Sequence, residues 1–285
     1  MDAMKTGLVL EGGGVRGIYT AGVLDVFLDN GITFEGVMGV SAGAIHGCSY
    51  LSGQRGRSFR YYRAYVSDPR FMSLRSWLTT GDIVGAEFCY HTLPDELDVY
   101  DHDAFLANPA RFWAVCTDID TGRAEYVRMR DMRGQIEYLR ASASLPYFSR
   151  IVALDGHKYL DGGCADSIPV EAMQRLGYTR NVVVLTRDAA YRKKPEMTAL
   201  AKLVYRKYPA FVRLLEKRHE MYNAQMETVE RMAEAGSAFI IRPERPLEIG
   251  RLENDPEKVQ RVYDQGCQDA RNALEALKDW MEYKK

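Results

Sequence analysis

Gly39-Val40-Ser41-Ala42-Gly43 sets a hydroxyl between two glycines, after a short run of strand character (Val37, Met38, Val40) and before a small-residue helical run (Ala42, Ala44, Ile45, Cys48, Leu51). A serine on such a strand-to-helix turn is pushed into a tight, strained conformation. Glycine at both flanks removes the Cβ atoms that would clash there. The serine oxygen then projects above the sheet at a helix N-terminus, whose partial positive charge favours a developing oxyanion. That is the chemistry of a nucleophile in acyl transfer. G-x-S-x-G also arises by chance in Gly/Ser-rich loops, so its neighbours decide.

The first neighbour is Glu11-Gly12-Gly13-Gly14-Val15-Arg16-Gly17, which follows a buried strand over Thr6 to Leu10 and opens a helix over Ile18 to Leu28. Strand, Gly-rich turn and helix together present backbone N–H groups to an anion. Two chemistries use this device. Gly12, Gly14 and Gly17 match the GxGxxG dinucleotide fingerprint, which also needs an acid about 20 positions on, at the carboxyl end of the second strand. Here that end is Gly39-Val40-Ser41, and the nearest acid, Glu35, falls at the strand's start. The other chemistry is an oxyanion hole, with the Gly12–Gly14 amides facing Ser41 from the adjacent strand end. The second neighbour is Asp161-Gly162-Gly163, delivered by a hairpin over residues 152–160 that turns at Asp155-Gly156. An aspartate leaving a strand into two glycines suits close approach by another group, or a plain Asx-turn.

The elements that must position these groups read as an α/β chain. Further strands are expected at Arg111 to Asp118, Ala124 to Arg128, Asn181 to Thr186 and Ser237 to Arg242, and their apolar faces imply a sheet covered on both sides. Helices are expected at Gln135 to Ala143, Ile168 to Leu176, and from Asn254-Asp255-Pro256 onward. Arg55 to Arg75 reads as a solvated arginine face with aromatics turned inward, or as a substrate mouth for phosphate or carboxylate head groups. Residues 76–103 read as an irregular stretch, a candidate lid over Ser41. Arg187 to Arg218 holds ten basic and three acidic residues around an apolar stripe interrupted at Pro209. It is read as a helix covering the sheet with its charges in water, or as a basic amphipathic contact to an anionic membrane.

Composition narrows the classes. A net charge of -1 over 285 residues excludes a domain-wide basic field for nucleic acid. The opening residues lack the pattern of a signal peptide, and five cysteines without a CxxC pair suit reduced thiols in the cytoplasm. No metal-binding spacing of histidines appears, so neither metal nor cofactor is expected. For a histidine triad, the candidates are His46, His157 and His219, of which His219 alone follows Asp161 in the chain.

Glu11 to Gly17, Gly39 to Gly43, Ala141-Ser142-Ala143-Ser144-Leu145-Pro146 and Asp161 to Gly163 occur in an order and spacing that resembles the patatin-like phospholipases, over about residues 6 to 186. The resemblance implies a three-layer α/β/α fold with a mostly parallel central sheet. Residues 1–186 would form the catalytic core, and residues 187–285 a helical extension with one further strand on the same domain. It implies Ser41 as nucleophile, Asp161 as base, an oxyanion hole from Gly12, Gly13 and Gly14 with Arg16 nearby, and a lipid acyl ester as substrate. Glu11, where plant patatins commonly have Asp, and Gly163, where many relatives have Ala, depart from the pattern without changing these roles. An aspartate of pKa near ~4 is a poor base for a serine hydroxyl, so a raised Asp161 pKa is expected. A thioesterase or acyltransferase would use the same residues. A non-catalytic nucleotide-binding module would use the Gly loop alone.

Overall fold

Leu8, Val9 and Leu10 are fully buried because β1 (Thr6–Leu10) runs through the middle of the molecule with a helical layer on each face. The computed structural model describes residues 5–196 and 199–282. Around β1 lie β2 (Gly36–Val40), β3 (Arg111–Asp118), β4 (Arg123–Met129), β5 (Val152–Leu154), β6 (His157–Asp161), β7 (Arg180–Val184) and β8 (Ala238–Ile241). The sheet order is β5-β6-β3-β2-β1-β7-β8, with β4 also paired to β3. Strands β3, β2, β1, β7 and β8 are parallel to one another, and β4 and β6 run antiparallel to β3. The fold is therefore the mainly parallel α/β/α sandwich expected.

Alternate residues feed two cores, as the period of a strand requires. Leu8, Leu10, Val37 and Val184 face a layer containing α1 (Ile18–Asp29), α2 (Ala42–Leu51), α3 (Arg57–Tyr65) and, at the chain's end, α10 (Pro256–Glu282). Val9, Met38, Val40 and Val183 face the opposite layer of α7 (Val170–Arg175) and the long α9 (Pro209–Glu234). Between these come α4 (Leu74–Thr80), α5 (His102–Ala107), α6 (Met132–Ser142) and α8 (Ala199–Val204).

Several local expectations change. Residues 76–103 are not irregular: they hold the end of α4, a π-helical stretch at Phe88–Leu97 and the start of α5. The interruption expected at Pro209 falls just before it, between the end of α8 at Val204 and the start of α9, where Pro209 sits in the first turn and its missing N–H costs nothing. Helix α6 starts earlier than expected because the Asp131 side chain caps it, accepting from the amides of Arg133 and Gly134. No helix of the described residues is long and apolar enough to cross a membrane.

Helix α10 is fastened to α1 by close backbone approach. A Cβ on Gly266 would sit 2.1 Å from the carbonyl oxygen of Tyr19, and one on Gly22 would sit 2.3 Å from that of Tyr263. Around this contact the Tyr19 hydroxyl donates to Asp269 at 2.8 Å, and the Tyr263 hydroxyl donates to Asp25 at 2.7 Å. Gly266→Ala must push two rigid helices apart, and overpacking of this kind costs about 1–3 kcal/mol. Urea unfolding should show a lower midpoint at unchanged slope. An unchanged midpoint would mean that α10 is free to shift.

Candidate active site

Ser41 sits between β2 and α2 with φ 54° and ψ −124°, in the left-handed region that costs a non-glycine residue about 1–3 kcal/mol. The surroundings hold it there. A Cβ on Gly39 would lie 2.4 Å from the Ala44 Cα, and one on Gly43 would lie 2.4 Å from the Leu10 carbonyl oxygen. Both glycines are thus required by packing against α2 and β1. The Ser41 amide donates to the Ser142 hydroxyl at 2.9 Å, and that hydroxyl donates to the Val115 carbonyl at 2.6 Å. The Ala141 to Pro146 block therefore clamps the turn from the end of α6.

Asp161 arrives by a detail of strand length. β2 pairs with β3 from Arg111 to Val115, but β3 continues to Asp118. β4 fills one edge of β3 along its length, so the edge beyond β2 is left for β6, paired at Cys116, Thr117 and Asp118. β6 thus runs antiparallel in line with β2, and its last residue, Asp161, meets the end of β2 at Ser41. The Asp161 amide donates to the Ser144 carbonyl at 2.7 Å, and its carboxylate accepts from the Gly163 amide at 2.8 Å. Burial pushes the Asp161 carboxyl above its ordinary range, while a hydrogen bond from the Ser41 hydroxyl and the charge of Arg218 pull the other way.

The Gly-rich loop comes from the end of β1. Gly12 approaches Ser41 so closely that a Cβ on it would lie 2.9 Å from the serine's own. The Glu11 carboxylate anchors the loop, accepting from the Thr186 amide at 2.6 Å and from the Tyr222 hydroxyl on α9 at 2.8 Å. The Val15 amide donates to the Arg251 carbonyl at 3.0 Å, which leaves the amides of Gly12, Gly13 and Gly14 without a hydrogen bond among the described residues. Gly14 has φ 59°, and a Cβ there would meet the Arg251 carbonyl oxygen at 2.6 Å, so only glycine fits. Arg16 is buried beside the loop, and its pKa is pushed down to about 10 by burial and then by the neighbouring Arg187 and Arg251.

Ser41 borders two cavities. One, of about 430 Å³, is lined mainly by apolar side chains such as Ile45, Val84, Leu93, Met132, Ile136 and Leu139. The 76–103 segment thus forms a wall of this cavity. The other is narrow, about 40 Å³, and is lined by Ser41, Asp161, the Gly loop and Arg16. None of the five histidines lines it. His46 is buried against Gly17, with Nδ1 3.0 Å from the Ser58 hydroxyl and its pKa pushed down to about 3 by burial. His157 lies 2.8 Å from the Asp118 carboxylate, and His219 lies beside Glu220 on α9. Glu35, the acid nearest the carboxyl end of β2 in the chain, accepts from the Thr6 amide at the far end of β1 from the loop. No group of three His, Cys, Asp or Glu residues among those described could hold a metal.

The residues that sequence reasoning missed come mostly from beyond β7. Arg218 donates from Nε to the Gly163 carbonyl at 2.8 Å, and Lys193 is buried, so the basic segment does not keep all its charges in water. Its apolar stripe divides as well. Phe211, Val212 and Leu215 are buried, whereas Leu200, Leu203 and Val204 are exposed. A mostly buried arginine within a run of solvated ones carries no signature in the sequence.

Comparison with known proteins agrees with this fold. The family model for patatin-like phospholipases matches residues 8–173, and a domain of unknown function (DUF6363) matches residues 208–282. Protein YjjU of Escherichia coli, described as uncharacterized, is 30% identical over 185 residues, covering 64% of this chain and 52% of its own length. Lysophospholipase nte1 of Aspergillus niger is 30% identical over 178 residues, covering 61% of this chain but 11% of its own. This chain thus spans about half the length of the first relative and a small part of the second. Among solved structures, VipD from Legionella pneumophila aligns over 96% of this chain and 67% of its own, with 13% identity and a TM-score of 0.48. The match to residues 8–173 takes in more than half of the chain, which belongs to the patatin-like phospholipase family.

Proposed function

We propose that the protein is a lipid acyl hydrolase in which Ser41 and Asp161 form a catalytic dyad. The observation that carries the reading is that Ser41 and the buried Asp161 carboxylate line one narrow pocket, and that Ser41 also borders a mainly apolar cavity. Ser41 Oγ attacks the ester carbonyl as Asp161 accepts its proton. The free amides of Gly12, Gly13 and Gly14, with the charge of Arg16 behind them, stabilise the negative oxygen of the tetrahedral intermediate. Asp161 returns the proton to the departing alcohol, leaving an acyl-enzyme on Ser41. A water then attacks that ester with Asp161 again as base, and the fatty acid leaves. The cavity of about 430 Å³ is of ligand size and would take the acyl chain. The lipid substrate is supported by the family and by the lysophospholipase relatives. Five unpaired cysteines suit a reducing compartment such as the cytoplasm.

Fluorophosphonate should label Ser41, and the label should vanish in Ser41→Ala together with hydrolysis of acyl esters. No adduct, at a dose that labels a control hydrolase, would overturn the nucleophile. Asp161→Asn should lower kcat by roughly 10²–10⁴-fold, the span of a general base. A panel of ester, thioester and acyl-acceptor substrates separates hydrolase, thioesterase and acyltransferase outcomes.

Two pH effects follow from the raised Asp161 pKa. As base it must be deprotonated, so kcat/KM should fall on acidification with a midpoint above the ordinary carboxylate value of about 4; a profile flat to pH 4 would contradict this. Stability moves the opposite way. Between the unfolded and the higher folded pKa the native state holds more protons, so stability falls as pH rises through that window. Asp161→Asn should therefore raise Tm at pH 7, and the gain should disappear below about pH 4. An equal gain at both pH values would place its cause elsewhere.

A further inference from the structure

The apolar cavity and the narrow pocket meet at Ser41 and share Arg251, but the first is lined mainly by apolar side chains and the second largely by charged ones. The narrow pocket encloses about 40 Å³, about a tenth of the apolar cavity's 430 Å³. It excludes an acyl chain but admits a small polar group. Five cations line it, Arg16, Arg187, Lys193, Arg218 and Arg251, against two acids, Glu11 and Asp161. Both acids are already engaged: Glu11 by Thr186 and Tyr222, and Asp161 by Gly163 and Ser41. The pocket opens into a wide groove that adds Arg192 and Lys194, with Asp188 and Glu196 as its acids. Glu196 serves Lys193 at 2.9 Å and Arg218 at 3.5 Å, and Asp188 accepts from the Ala190 amide at 3.0 Å.

Of the narrow pocket's five cations, three are left over. Arg16, Arg187 and Arg251 have no ion pair among the described residues, and Arg187 instead lies 4.1 Å over the Tyr191 ring. Arg16 is 6% exposed, and its Nε is buried with no hydrogen-bond partner. An unsatisfied buried guanidinium facing two other cations is costly unless an anion joins it. Apart from Arg16, the cations lie beyond residue 173, outside the stretch that matches the family.

We propose that this pocket and groove are the subsite for a phosphate group on the alcohol side of the scissile ester, so that the substrate is an acyl lipid with a net anionic phosphate head group. The proposal rests on Ser41 as the nucleophile. The acyl chain enters the apolar cavity, the carbonyl lies at Ser41, and the phosphate meets Arg16, Arg187 and Arg251. A head group ending in a quaternary ammonium is disfavoured, because its cation would lie near Arg192 and Lys194 and the Tyr191 face is already covered by Arg187.

Calorimetry on the Ser41→Ala protein tests the subsite without turnover. The probes are a short-chain acylglycerol phosphate below its micelle concentration, the monoacylglycerol and acylglycerophosphocholine of the same chain, and inorganic phosphate. The acylglycerol phosphate should bind at least tenfold more tightly than the monoacylglycerol, with a preference that shrinks as salt rises and is lost in the added double variant Arg187→Gln/Arg251→Gln. Equal affinity for these two lipids would overturn the subsite, as would equal affinity for the choline lipid. Inorganic phosphate binding as tightly as the lipid would assign the groove to free phosphate and overturn the head-group assignment. The lipid comparison needs no groove variant, so it decides even if the double variant folds poorly. Ser41 as nucleophile is judged separately, by fluorophosphonate labelling.

Discussion

The site depends on β3 being longer than β2. Because β3 continues past Val115, the edge at Cys116 to Asp118 is open, and β6 fills it head-on to β2. Two strand ends that are remote in the chain then meet, bringing a serine in a strained turn against a buried carboxylate. Ser142 and Ser144 on one short segment bond respectively to the Ser41 amide and, through a carbonyl, to the Asp161 amide. The serine–aspartate geometry is thereby set by sheet register and by hydrogen bonds from the two residues' backbone amides, one to a hydroxyl and one to a carbonyl, and neither side chain has to hold the other in place. Rigid elements of this kind would keep the two groups of the proposed dyad within the tolerance that catalysis demands.

The second constraint comes from the C-terminal part of the chain. Tyr222 on α9 holds Glu11, Arg218 holds the Gly163 carbonyl, and the Arg251 carbonyl takes the Val15 amide. Each contact falls on one of the motif blocks, so residues 208–282 complete the Gly loop and the aspartate turn and do not merely cover the sheet. The Val15–Arg251 bond matters most for chemistry. It satisfies the Val15 amide, and the same carbonyl packs so closely on Gly14 that only a glycine can make the loop's left-handed bend there.

How much of this is legible in the sequence follows the range of the interactions. Glycine flanks, the Asp155-Gly156 hairpin and the apolar strands are local devices, and Ser41, Asp161 and the Gly loop were marked by them. The three-layer parallel sheet follows from alternating strands and helices. What was not legible is contact at long separation. Nothing near Ser142 marks it as the acceptor for the Ser41 amide, since its value depends on β3 and α2 meeting α6. Likewise Arg218 and Lys193 look like their solvated neighbours Lys194 and Arg213, and only the path of α9 across the strand ends decides which charges turn inward. The helices within 76–103 were missed because Gly81, Gly85 and Pro94 read as loop punctuation. In the fold Gly81 ends α4 in the left-handed region, and Pro94 sits inside the π-helical stretch.

The costs concentrated at the site then account for where the molecule is packed most tightly. A left-handed serine, a buried carboxylate whose charged form is disfavoured, and a buried guanidinium lacking a partner at Nε each work against folding. With a net stability of only about 5–15 kcal/mol available to a typical domain, such features must be offset elsewhere. The offset lies in the fully buried strands β2 and β7 and in the α1–α10 contact, where glycines let backbones meet. That contact is made by the far end of the chain, beyond the family core. The segment just before α10 serves the site directly, since the Arg251 carbonyl accepts from the Val15 amide and packs on Gly14 beside Ser41.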